Sequence, residues 1–142
     1  MRISISSIIA WAIVVILISI NIASILSGQS YIAVVSGTSM EPILSTGDIV
    51  LILPVNSPSD IKLGDVVVYK DLRGVYIIHR VINIVAIGER MYFITKGDNN
   101  RFPDMIPGYP GVPFENIVGR VVSIDGYIVK IPYVGILSLL RG

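Results

Sequence analysis

The polarity pattern changes character once along the chain. Residues 8–26 are almost entirely Ile, Val, Leu and Ala, and no charged side chain lies between Arg2 and Glu41. As a helix this run would be roughly 28 Å long at about 1.5 Å per residue, which matches one bilayer crossing. Trp11 near one end and Tyr31 beyond the other stand where interfacial aromatics sit. The polar exceptions Ser19, Asn21 and Ser24 are expected to bond the backbone or a neighbouring helix rather than mark a pathway. A cleaved secretory signal is the competing reading. The run, however, exceeds the roughly 7–15 residues of a usual apolar signal region, and no clean small-x-small site follows it. The expectation is a retained single-pass anchor over residues 1–28. Arg2 and the terminal amine then lie on the cytoplasmic side and the remaining chain lies outside.

Beyond the anchor the hydrophobic period shortens. Residues 49–53 and 66–69 are apolar and β-branched, and a Gly-Asp pair introduces each, Gly47-Asp48 and Gly64-Asp65. Further strands are expected at 75–84, 91–95 and 117–124, with Asp71-Leu72-Arg73-Gly74 and Gly88-Glu89-Arg90 as hairpin connections. No βαβ alternation is visible. The expected fold of residues 29–126 is therefore mainly β, a small antiparallel β-barrel or coiled sheet. Residues 96–115 carry Pro103, Pro107, Pro110 and Pro113 and predict a long loop of the kind that often bears function. The last segment, residues 127–142, turns apolar again over 127–140. A stretch of about 14 residues is too short for a crossing, which leaves an interfacial segment and a core element both open.

Composition sharpens this picture. The chain of 142 residues is 53% hydrophobic and 15% charged, against roughly 25% charged in ordinary soluble proteins. With a mean hydropathy of +0.77, that balance favours contact with a lipid bilayer. The length accommodates one small domain plus a membrane segment. A net charge of +1 gives no basic field for nucleic acid. The absence of cysteine excludes disulfides, thiolate metal sites and cysteine nucleophiles. A single histidine is a poor basis for catalytic zinc, so neither metal nor cofactor is expected.

Ser39, in Ser36-Gly37-Thr38-Ser39-Met40-Glu41-Pro42, lies just outside the apolar run, and His79 is the chain's only histidine. Serine is a weak nucleophile until a base removes its proton, and imidazole suits that task near neutral pH. A carboxylate on the far ring nitrogen would fix the tautomer, and Asp98 and Asp104 follow His79 in the chain. Singly, such residues are a loop serine, a strand histidine and a turn aspartate in most proteins. Context adds weight: Ser39 occupies a glycine-containing turn where backbone N–H groups can hold an oxyanion. His79 is polar in an otherwise apolar strand, where it needs a partner. Lys70 and Lys96 are the alternative bases. Each would need burial to lose its proton, whereas Lys70 adjoins Asp71 in a turn and Lys96 adjoins an acidic cluster.

The Ser39 string, then Gly64-Asp65-Val66-Val67-Val68-Tyr69, Ile78-His79-Arg80-Val81 and Lys96-Gly97-Asp98-Asn99-Asn100, resemble in order the boxes of type I signal peptidases. Gly119-Arg120-Val121 and Pro132-Tyr133-Val134-Gly135 are similar to that family too, so the resemblance spans most of residues 8–140. His79 stands where bacterial enzymes of the serine–lysine kind have lysine, which points to the archaeal and endoplasmic-reticulum branch. The resemblance implies a membrane-bound serine endopeptidase that removes signal peptides from exported preproteins after a small-x-small site. It makes Ser39 the nucleophile, His79 the general base, Asp104 the third member and Asp98 a supporting acid, an order that could be exchanged. Many members have serine directly after the glycine. Here Thr38 intervenes, which leaves open whether Ser36 or Thr38 assists the Ser39 N–H in the oxyanion hole. The implied setting is the cell membrane near a translocon, or the reticulum membrane with a lumenal domain in a eukaryote. Accessory subunits are unassigned. Two other classes remain: a catalytically inactive anchored β-barrel subunit, and a repressor-type autoprotease, which would use a serine–lysine dyad.

Overall fold

The computed structural model describes residues 4–27 and 31–134, with the side chains of 21 and 23–27 outside that description. Two compact units emerge, residues 1–31 and 32–142.

The first unit is helix α1, Ile5–Ser27, 23 residues with neither an acid in its first turn nor a base in its last. The Ser4 hydroxyl accepts the Ser7 N–H at 3.2 Å and satisfies one of the N–H groups that a helix start leaves open. Ser19 disposes of its own polarity by donating to the Val15 carbonyl at 2.8 Å. Asn21 and Ser24 lie outside the described side chains. The large apolar side chains described on α1, Trp11 included, are exposed, with Ile20 alone among them half-buried. Among the described residues no helix is long and apolar enough to cross a membrane. The transmembrane helix expected from the sequence is thus not shown.

The second unit is built on antiparallel pairing. Its strands are β1 Ile32–Val34, β2 Ile49–Leu53, β3 Val66–Lys70, β4 Tyr76–Ile87, β5 Arg90–Lys96, β6 Val112–Pro113, β7 Ile117–Val121, β8 Ser123–Ile124, β9 Tyr127–Ile128 and β10 Lys130–Ile131. The main sheet runs β1-β2-β7-β3-β4-β5-β6, with β10 also paired to β2, while β8 and β9 form a separate ribbon. The two Gly-Asp pairs start β2 and β3 by one device. Gly47 and Gly64 both take φ 91°, a conformation that glycine alone adopts without strain. The following aspartate then accepts the N–H three residues back, Ser45 to Asp48 at 3.0 Å and Lys62 to Asp65 at 2.8 Å.

β3 is buried on both faces. Val66 and Val68 enter a cluster with Met40, Leu44, Val50 and Ile52; Val67 and Tyr69 enter another with Val81, Phe93 and Val112. That period of two follows from the pleat. The sheet is open, which corrects the expectation of a barrel. Its far end is β6, only two residues long, and Pro113 there has no N–H to extend a ladder. The expected apolar tail is described only in part. Residues 130–131 pair with Val50 and Ile49 of β2, while 135–142 lie outside the described residues.

Phe93 is fully buried, whereas Leu63 is 67% exposed. Phe93→Ala should cost about 3–5 kcal/mol by urea unfolding, and Leu63→Ala about 0.5 kcal/mol or less.

Candidate active site

Strand register brings the candidate residues together. Val67 pairs with His79 and Tyr69 with Ile77, and Val81 pairs with Thr95. Directly paired residues share a face, so His79, Tyr69 and Thr95 stand on one side of three consecutive strands. Arg80, one residue on, projects from the opposite face.

His79 is buried at 6% exposure, and both ring nitrogens are engaged. Nε2 lies 3.0 Å from the Ser39 hydroxyl, and Nδ1 lies 2.6 Å from Asp104 Oδ2. An ionised carboxylate only accepts, so Nδ1 carries the proton and Nε2 is left to accept from serine. Burial works against the Asp104 charge, but hydrogen bonds from His79, Thr95 and Tyr69 outweigh it and hold the carboxyl below its ordinary value. Thr95 Oγ1 donates to Oδ2 at 2.6 Å, and the Tyr69 hydroxyl donates to the same oxygen at 2.9 Å. The backbone completes the hold, since the Asp104 N–H donates to the Thr95 carbonyl at 2.8 Å.

The second acid goes elsewhere. Asp98 receives Arg80 through Nε at 2.8 Å and Nη2 at 2.6 Å, while Arg80 Nη1 donates to the Gly64 carbonyl at 2.9 Å. One step along β4 therefore separates the two carboxylates' partners. Asp98 ties the loop after β5 to the turn before β3, and Asp104 meets the imidazole. Neither lysine faces the serine hydroxyl. Lys96 Nζ donates to the Asn100 carbonyl at 2.8 Å, and exposed Lys70 lies 5.7 Å over the Tyr76 ring.

Ser39 is half-buried in a turn whose Leu44 N–H donates to the Met40 carbonyl at 2.9 Å. Met40 and Leu44 anchor this turn in the core, and Ile43 remains 42% exposed. The loop after β5 clamps it from outside: the Asn99 N–H donates to the Ser39 carbonyl at 2.8 Å, and Asn99 Nδ2 donates to the Thr38 carbonyl at 3.1 Å. Gly97 permits this approach, because a Cβ there would stand 2.5 Å from the Ser39 carbonyl oxygen. With its flanking carbonyls so held, the Ser39 N–H has no acceptor among the described residues, and the exposed Ser36 and Thr38 hydroxyls bond no protein group there.

Behind the turn, Asp48 is fully buried. Lys130 Nζ donates to it at 2.6 Å and to the Ile43 carbonyl at 2.8 Å. Burial opposes the Asp48 charge, yet Lys130 and the Ser45 and Tyr133 N–H groups hold its carboxyl below the ordinary value. No group of three or more metal-ligating side chains occurs among the described residues. Of the residues around His79, reading the sequence missed Tyr69 and Thr95. Both sit in apolar strands and look like core, and their one signal is a hydroxyl that burial obliges to find an acceptor.

Known proteins resemble this chain over most of its length. A family model described as Peptidase S24-like matches residues 14–122. The signal peptidase complex catalytic subunit SEC11 of Chaetomium globosum is 32% identical over 122 residues, covering 84% of this chain and 69% of that protein. Its Sclerotinia sclerotiorum counterpart is 35% identical over 116 residues, 78% of this chain and 63% of that one. Signal peptidase I W of Bacillus subtilis is 34% identical over 80 residues, 56% of this chain and 42% of its own length. The chain belongs to the type I signal peptidases of the endoplasmic-reticulum and archaeal branch, a family of serine endopeptidases.

Asp48 and Asp104 titrate lower in the folded chain than in the unfolded one. The stability they contribute is therefore complete above the unfolded value near 3.9 and is lost as pH falls through the lower folded values. The thermal midpoint should hold from pH 7 to about pH 5 and drop below about pH 4. Asp48→Asn should make that drop shallower by circular dichroism; equal slopes would remove Asp48 from this account.

Proposed function

We propose that this chain is a membrane-anchored serine endopeptidase that cleaves N-terminal signal peptides from preproteins after a small-x-small site. One observation carries the reading: the chain of contacts from the Ser39 hydroxyl through His79 to Asp104, at 3.0 and 2.6 Å. In this mechanism Ser39 Oγ attacks the scissile carbonyl and forms the Oγ–C bond, while Nε2 of His79 takes the hydroxyl proton. The oxyanion is stabilised by the Ser39 N–H, with the Ser36 or Thr38 hydroxyl as the second donor. His79 returns its proton to the leaving amine as the C–N bond breaks. Water then attacks the acyl-enzyme, gives a proton to His79 and releases the signal peptide's new carboxylate; the proton passes back to Ser39.

Asp104 keeps Nδ1–H in place and stabilises the imidazolium. Asp98, through Arg80, supports the loop that clamps the nucleophile turn. The apolar, exposed surface of α1 supports an anchor, with the N-terminus cytoplasmic and the catalytic unit outside. The fungal relatives are named as catalytic subunits of a complex, which extends to this chain as an expectation of partner subunits.

Incubating the detergent-solubilised chain with a signal-bearing preprotein should release the mature protein. Ser39→Ala and His79→Ala should each reduce kcat by at least about 1,000-fold with unchanged circular dichroism. The wild-type rate should fall as acid protonates the imidazole. Full activity in either variant would overturn the assignment, a rate rising only above about pH 9 would favour a lysine base, and an inert wild-type chain would favour a non-catalytic subunit.

A further inference from the structure

We infer that Tyr69 and Thr95 are positioning residues of the Ser39–His79–Asp104 relay, two hydroxyl donors that hold Asp104 Oδ2 on the histidine and temper its pull on the Nδ1 proton. This rests on the proposed function. The geometry is specific: three donors converge on one carboxylate oxygen, His79 Nδ1 at 2.6 Å, Thr95 Oγ1 at 2.6 Å and the Tyr69 hydroxyl at 2.9 Å. They come from three adjacent strands, β4, β5 and β3. Tyr69 pairs with the residue two before His79 and Thr95 with the residue two after it, so the two hydroxyls straddle the imidazole.

Packing alone does not explain them. Tyr69 is 1% exposed and Thr95 fully buried, and phenylalanine or valine would fill the same space without a polar atom to satisfy. Burial, reinforced by the Asp104 charge, pushes the Tyr69 phenol well above its ordinary range. The phenol therefore stays a donor at every working pH.

The electronic consequence has a definite sign. A carboxylate that receives two O–H donors is less basic, so it stabilises a neighbouring imidazolium less. Other charged groups around the pair are already committed. On β4 Arg80 is bound to Asp98, on β5 Lys96 is bound to the Gly97 and Asn100 carbonyls, and Asp71, just past β3, is bound to Arg73. Ser39 faces Nε2, leaving Asp104 as the one carboxylate on the ring among the described residues.

Because His79 is the only histidine in the chain, its ring signals in an NMR titration of the full-length protein are unambiguous and need no turnover. In Tyr69→Phe and Thr95→Val the pH midpoint of those signals should rise by about 0.5–1 unit, the equivalent of the net worth of one ordinary hydrogen bond. Thr95→Ser should restore the wild-type midpoint. On a preprotein, the acid limb of kcat/KM should move with it: a loss of about threefold to tenfold near pH 6 and less than about threefold at pH 8. An unmoved midpoint in folded variants would overturn the proposal. So would a midpoint moved to lower pH with activity lost equally across the range, since that is the mark of a loosened His79–Asp104 contact. Should Tyr69→Phe fail to fold, the Thr95 pair decides alone. Retained activity in His79→Ala would overturn the catalytic reading instead, and the two failures are read from different variants.

Discussion

An ionised carboxylate in a place where burial works against it is the constraint around which the catalytic unit is organised. Asp104 keeps its charge because donors reach it from three consecutive strands, and those strands can supply them only in one register. Shifting β4 by a single residue would turn His79 to the opposite face and put Arg80 in its place. The apolar clusters on the two faces of β3 make that slip costly, since every valine of the strand is buried. Hydrophobic packing thus fixes register, register delivers the donors, and the donors keep the acid ionised beneath the imidazole.

The Ser39 hydroxyl is held by a different logic. Ser39 does not sit on a strand; its turn is pinned below by Met40 and Leu44 and above by Asn99. Gly97 makes the upper clamp possible by leaving no Cβ to collide with the Ser39 carbonyl. Asp98 belongs to this clamp rather than to the histidine, through its paired contacts with Arg80. Two adjacent residues of one strand thereby serve two tasks: His79 meets the hydroxyl directly, and Arg80 steadies the loop that aims it.

What was legible in the sequence follows from the range of the forces involved. β2 through β5 announce themselves through β-branched runs and Gly-Asp turns, because those signals are local. Ser39, His79 and the two acids are visible as chemistry out of place in apolar or turn contexts, and Asp104 and Asp98 part company only once the pleat of β4 is known. β1 and β10 escaped notice because each is short and exists by virtue of pairing with β2. The barrel expectation failed at β6, where a two-residue strand ending in proline cannot carry the ladder further. Tyr69 and Thr95 were hidden for the opposite reason: their strands are so plainly apolar that their hydroxyls read as incidental.

The placement of β2 bears on how the molecule is assembled in time. This strand takes β1 on one edge and β7 and β10 in succession along the other, so pairings of short and very long sequence separation meet on five residues. Contacts of high separation are the slow ones to form. The connection between β1 and β2 contains Ser39, and the Lys130 bonds to Asp48 and to the Ile43 carbonyl brace it from 82 and 87 residues downstream. A ribosome delivers Ser39, His79 and Asp104 before it delivers Lys130. The Ser39 turn therefore gains its Lys130 brace only after the residues that meet its hydroxyl relay have all been made, so the turn is finished by a residue outside the relay.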